Sequence, residues 1–329
     1  MEQFAERTII AAIARQQVGT AFDLVRGIGD DCAVVRKAGG LVDLWTTDAL
    51  VEGVHFDLAW HPPELLGRKA ASVNISDIGA MGGKPRFALL SLGLPAAFRK
   101  EFLDSLVAGF LDVLGEHDMV LVGGDTVYSG ERLMLSITVC GEMAEKQVCY
   151  RSAARPGDLV WVSGCLGNAA CGLELCRQGM QGQEEYASLC RAHLDPQPQV
   201  RLGRMLAESG LVHAMMDISD GLATDLAHIC KESGAGAEIM ADDVPLADEL
   251  KKAAAALQLS SMQLALQGGE DYQLVFTAAA ENSGPLRNLS REAGVDIACV
   301  GRIVAGEGVM LRQDGAWLDI TFRGYEHRF

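Results

Sequence analysis

LVDLWTTD at residues 41–48, PELLGRKAASVNISDIGAM at 63–81 and FALLSLGL at 87–94 read as strand, helix and strand. The first is an apolar, β-rich run that stops at Asp48. The second has helical periodicity, and the third is a short continuous apolar run, as a buried strand requires. Working outward, residues 98–116 read as a helix, 119–122 as a short buried strand and 133–142 as a longer strand. Ala-Arg-Pro-Gly-Asp at 154–158 is a turn signal. Beyond it come strands at 159–163, 215–218, 272–277, 297–304 and 309–312, with helices at 167–179, 195–210 and 221–233. This alternation predicts an α/β (α+β) layered fold. The composition break predicts two domains, 1–148 and 149–329.

The chain has 329 residues, more than one core usually serves. It is 49% hydrophobic and 22% charged, the balance of a globular protein. Its net charge of −16 disfavours nucleic acid and anionic membrane as partners. An acidic protein can still hold phosphates where metal ions mediate the contact. The nine cysteines form no CxxC pair, so they read as reduced packing residues. Residues 1–16 read as an amphipathic helix, not a signal peptide. No run of about 18 apolar residues predicts a membrane span. A cytoplasmic enzyme is the expectation.

Acidic residues recur where strands should stop or helices begin. They stand in Gly27-Ile-Gly-Asp-Asp31, Thr46-Thr-Asp48, Asn74-Ile-Ser-Asp77, Gly123-Gly-Asp-Thr126, Asp217-Ile-Ser-Asp220 and Gly268-Gly-Glu-Asp271. Singly, the glycine-flanked sites also fit plain turns, and Asp220 also fits a helix N-cap. Asp77 resists that reading, because its neighbours Val73, Ile75 and Ile78 are apolar and a buried lone carboxylate is costly. Together the carboxylates would repel unless cations joined them. Hard oxygen donors beside Thr and Ser hydroxyls suit Mg²⁺, and flanking glycines let backbone amides approach phosphate. The chemistry implied is metal-mediated binding of a polyphosphate.

No GxxxxGK[ST], no HRD or DFG set and no complete GxGxxG occurs, so P-loop, protein-kinase and Rossmann readings fail. In order, GIGDDCAVV (27–35), TTDALVEGVHF (46–56), VNISDIGAMGGKP (73–85), VGGDT (122–126), DISDGL (217–222), GGEDYQLVF (268–276) and GYEH (324–327) resemble the thiamine-monophosphate kinase family. The family belongs to a wider group with aminoimidazole ribonucleotide synthetase and selenophosphate synthetase.

The resemblance implies an N-terminal α/β domain whose sheet pairs in a homodimer, followed by a C-terminal α/β domain. ATP and thiamine monophosphate would lie in the cleft between the domains. Asp31, Thr46, Thr47, Asp48, Asp77, Asp125, Asp217 and Asp220 would ligate several Mg²⁺ ions. Gly124, Asp125, Arg151 and Ser219 would hold ATP. His55, Glu270 and Tyr325 would contact thiamine monophosphate. One departure is the extra Arg328 before the closing Phe329.

A phosphate monoester is mostly a dianion at neutral pH, its second pKa being about 6. No residue is therefore needed as general base, and direct in-line transfer is expected. The alternatives are a related ATP-dependent enzyme with another acceptor, or a non-catalytic Mg²⁺-dependent nucleotide-binding protein.

Overall fold

The computed structural model describes residues 5–17, 19–96 and 98–327. The extra Arg328 and the closing Phe329 lie outside the described residues. The chain opens with helix α1 (Glu6–Gln16), which buries no residue. Next come β1 (Leu24–Arg26), β2 (Ala33–Arg36), β3 (Leu41–Val51), α2 (Pro63–Ala80), β4 (Lys84–Leu94), α3 (Lys100–Glu116), β5 (Val120–Tyr128) and β6 (Met134–Ala144). These strands form a sheet in the order β1-β2-β3-β6-β4-β5. Only β4 and β5 run parallel, joined through α3. Parallel neighbours need such a crossover, whereas the rest can be linked by short loops.

Side chains alternate across this sheet. Val42, Leu44, Leu135, Ile137 and Val139 are buried on the face covered by α2 and α3. Trp45, Cys140, Phe87 and Val120 stand side by side on the other face, where Trp45, Phe87 and Val120 are exposed.

The second half contains β7 (Leu159–Ser163), α4 (Asn168–Arg177), α5 (Ala187–Leu194), α6 (Val200–Ser209), β8 (Val212–Ile218), α7 (Leu222–Ser233) and β9 (Gly236–Met240). It continues with α8 (Asp248–Ala256), α9 (Ser261–Gln267), β10 (Gln273–Ala278), α10 (Ser283–Ala293), β11 (Ile297–Val304), β12 (Gly308–Gln313) and β13 (Ala316–Asp319). Its seven-stranded sheet has the order β13-β12-β9-β11-β7-β10-β8.

Three expectations need correction. The strand expected to be short and buried at 119–122 is β5, which runs for nine residues and is exposed along most of its length because it closes one edge of the sheet. Asp48 lies inside β3, not at its end, because β3 stays paired with β6 as far as Val51↔Met134. Asp125 likewise lies within β5, which follows β4 out to Tyr128↔Leu94. A Cβ at Gly124 would fall 1.8 Å from Leu90 O, so glycine here permits that pairing.

Helix α2 joins the two halves. A single apolar core includes Ile75 and Ile78 of α2 together with Trp161, Met215 and Phe276 of the second sheet. Where α2 crosses α6, a Cβ on Gly203 would lie 2.1 Å from Gly79 O. Gly203→Ala is therefore expected to cost about 2–3 kcal/mol of stability by forcing the helices apart. Thermal melting would check this, and an unchanged midpoint would contradict it.

Candidate active site

The acid set begins with Asp31, Asp77 and Asp217. One carboxylate oxygen from each lies within 4.8 Å of the others. Three elements deliver them: the loop before β2, the body of α2 and the end of β8. Burial, and then the charges of Asp48 and Asp217, push the Asp77 carboxyl well above its ordinary range. Burial, and then Asp31, push Asp217 up to about 7. Hydroxyls support both: Thr46 Oγ1 donates to Asp77, and Ser76 Oγ donates to Asp217 Oδ2 at 2.5 Å. Crowded hard oxygen donors that resist ionisation are the set a divalent cation would relieve.

Asp48 and Asp220 adjoin this cluster on the wall of the adjacent cavity. Burial, and then Glu6, push Asp48 up to about 6 and Asp220 up to about 7. Asp220 does not cap α7 with its side chain. Gly221 holds the cap position, and the Asp220 N–H donates to Asp225 Oδ2 at 3.1 Å.

The cavity has a volume of about 670 Å³ and lies between the two halves. Asp48, Asp77, Ser219 and Asp220 line one part of it. Trp60, His55, Tyr272, Glu270 and Tyr325 also line it. His55 Nδ1 accepts from the Val51 N–H at 3.1 Å. Burial, and then His327, lower the His55 pKa, so the ring is neutral and carries its proton on Nε2. Its ring sits 5.2 Å from His327, whose Nδ1 is 3.3 Å from Tyr325 Oη. The final GYEH thus folds into the cavity wall, bringing His327 as well as Tyr325. Glu270 Oε1 is 2.7 Å from Lys69 Nζ, and Oε2 is 2.8 Å from His193 Nδ1.

The remaining expected site residues divide between this cluster and other places. Thr47 projects from the opposite side of β3 to Thr46 and Asp48. There its hydroxyl donates to Ile137 O at 2.9 Å. Arg151 Nη2 reaches Asp31 Oδ1 at 2.5 Å, so it adjoins the carboxylate cluster. Asp125 is not brought to the cluster within one chain. It lies in register with Ser91, Ser136 and Ala49 across β4, β6 and β3. Three inter-strand spacings put it about 14 Å along the sheet from the Asp48 segment. Gly124 shares that position.

Several contributing residues escaped the sequence reading. Asp30 carries Arg26 at 3.5 Å and the Arg151 N–H at 3.3 Å, while its neighbour Asp31 faces the cluster. Asp271 accepts from the Gly167 and Ala169 N–H groups at the start of α4, while Glu270 faces the cavity. Each acidic pair thus divides into one structural member and one that serves the site, Asp31 in the carboxylate cluster and Glu270 on the cavity wall. Paired acids in a glycine turn signal a site, but not which member serves it. Lys69 and His193 carry no local signal.

Among the described residues no helix is long and apolar enough to cross a membrane, and all nine cysteines are free thiols.

Residues 29–143 match the family AIR synthase related protein, N-terminal domain, and residues 155–313 match its C-terminal domain. The chain is 35% identical to a thiamine-monophosphate kinase of Escherichia coli K12 over 328 residues, covering 98% of each chain. It is 35% identical to the Bacillus subtilis thiamine-monophosphate kinase over 306 residues, covering 92% of this chain and 93% of that one. The solved structure of AaThiL complexed with AMPPCP and TMP superposes with a TM-score of 0.84 at 35% identity, covering 95% of this chain and 94% of that one. With family models over both halves and relatives of 35% identity over nearly the full length, the chain belongs to the thiamine-monophosphate kinase family of AIR synthase related proteins.

Proposed function

We propose that this chain transfers the terminal phosphoryl group of ATP to the phosphate of thiamine monophosphate, giving thiamine diphosphate and ADP. One observation carries the reading. A single cavity joins acids of a carboxylate cluster to aromatic walls and an ion-paired glutamate. The first part suits a metal-bound polyphosphate and the second an aromatic heterocycle. The names of the relatives and the AMPPCP and TMP bound to AaThiL support the same assignment.

Magnesium ions held by Asp31, Asp77 and Asp217, with Asp48, Asp220 and the Thr46–Thr47 segment beside them, would screen the repulsion between two anionic phosphates. The chain's own groups supply the rest. The His55 Nε2–H is a neutral donor for the acceptor phosphate. Tyr325 offers a ring face, and Glu270 accepts from the heterocycle. Arg151, held by Asp30 and Asp31, and Ser219 serve the nucleotide. No base is assigned, since the acceptor oxygen is already ionised.

The same reading keeps the domain division at 148/149 and a cytoplasmic setting. It includes a homodimer formed through the open face of the first sheet. The exposed Trp45, Phe87 and Val120 support this, because a contiguous apolar row on a sheet face is a pairing surface. Gly124 and Asp125 stand on an edge strand of that sheet, and the reading has them complete the site of the partner subunit.

Mass spectrometry of products from ATP, Mg²⁺ and thiamine monophosphate tests the reaction. Thiamine diphosphate formed with ADP is the expected result. Nucleotide binding without product would favour a non-catalytic protein, and turnover only with other acceptors would favour a related enzyme. His55→Ala is expected to raise the acceptor KM about tenfold, the effect of losing one charge-assisted hydrogen bond, with little change in the ATP KM. Varying each substrate separately would decide, and equal effects on both would count against the role.

A further inference from the structure

Lys69 has a side-chain exposure of 0%, although it sits in the middle of α2. A buried ammonium is costly and persists only with a close partner. That partner is Glu270, reached at 2.7 Å, and His193 (1% exposed) holds the other oxygen of the same carboxylate at 2.8 Å. Helix α2 and helix α5 therefore grip Glu270 from the two halves of the fold. Glu270 adopts φ +69°, a conformation uncommon for a residue with a side chain. A pair serving packing alone would bury its acid as deeply as its base. Here the Glu270 side chain keeps 24% exposure and lines the cavity.

We propose that Lys69 and His193 are positioning residues that hold Glu270 as an oriented, ionised acceptor for an uncharged N–H donor on the heterocyclic end of the acceptor substrate. The inference rests on the function proposed above. The charges of Lys69 and Glu270 sum to zero, so the unit does not draw a cation; it recognises hydrogen-bond donors. Burial alone would raise the Glu270 pKa, but Lys69 and then His193 outweigh it and hold the carboxyl below its ordinary range. Burial, and then Lys69, lower the His193 pKa, so that ring is neutral. Its Nδ1 is the ring nitrogen beside Glu270, 2.8 Å from Oε2, while neither ring nitrogen makes an aligned hydrogen bond. The other titratable groups around Glu270 are His55, His61, Asp271, Tyr272 and Tyr325. In thiamine monophosphate the matching donor is the amino group of the pyrimidine.

The test is a double-mutant cycle on acceptor KM with Lys69→Met, Glu270→Gln and the double variant. Lys69→Met should raise acceptor KM at least about tenfold with little change in ATP KM. Without Lys69 the Glu270 pKa rises. The ratio of variant to wild-type acceptor KM should therefore fall from pH 6 to pH 9, as Glu270 regains its charge. In the Glu270→Gln background, Lys69→Met should add little. Additive effects, or an acceptor KM unchanged by Lys69→Met, overturn the inference. Should Lys69→Met not fold, wild-type enzyme with the 4-oxo analogue of the acceptor probes the same contact. A raised KM for the analogue is expected, and an equal KM overturns the proposal. Wild type that turns over no thiamine monophosphate overturns the function itself, a result separable from both.

Discussion

Asp77→Asn is expected to lose roughly a thousandfold in turnover, because it removes a central oxygen donor from the proposed cation site. The same variant should melt above the wild type in EDTA. In the folded chain Asp77 is crowded by Asp31, Asp48 and Asp217, and its carboxyl is pushed well above its ordinary range. A carboxylate that resists ionisation costs stability at neutral pH. Asparagine keeps the shape and removes the repulsion. Added Mg²⁺ should raise the wild-type melting temperature and do less for the variant, since binding to the folded state alone stabilises it. Melting with and without Mg²⁺, beside steady-state ADP release, separates the two effects. Wild-type turnover at limiting Mg²⁺ would remove Asp77 from the ligand set.

Mixing two inactive variants should restore activity. Asp125 stands about 14 Å along the sheet from the Asp48 segment of its own chain. If it serves the partner subunit, Asp125→Asn and Asp77→Asn are lesions in different contributions to one site. A mixed dimer then holds one intact site and one doubly damaged site. Random re-pairing makes half the dimers mixed, so about a quarter of wild-type turnover should return. Each variant alone stays near background. Co-expression with two affinity tags isolates the mixed dimer, and ADP assay of that doubly purified species should read about half of wild-type turnover. No recovery would mean that Asp125 acts within its own chain or not at all.

The backbone was legible wherever periodicity was strong. Leu159–Ser163 and Ile297–Val304 coincide with their expected limits, and α2 ends one residue early. The two false strand ends have one cause. Thr46-Thr-Asp48 and Gly123-Gly-Asp125 look like stops, but pairing with β6 and β4 carries both strands onward. Tertiary pairing overrode local propensity there. In the site, Asp31, Asp77 and Asp217 were legible because acids in apolar or glycine-rich settings are conspicuous. Lys69 and His193 were not, since a lysine in a helix and a histidine near a helix end look ordinary until the fold brings Glu270 to them. Asp125 was legible as a motif but not as a position, because sequence order says nothing about which edge of a sheet a strand takes.

Helix α2 carries both Asp77 and Lys69, eight residues apart. At the rise of an α-helix this is about 12 Å along one rod. The glycine crossing at Gly79 and Gly203 clamps that rod against α6, so its length is not adjustable. Under the proposed function the helix would be a ruler laid along the substrate, one mark at the transferring phosphate and one at the ring. An acceptor whose linker is a methylene longer or shorter would miss one mark when seated on the other, and selectivity for molecular length follows without any residue dedicated to it.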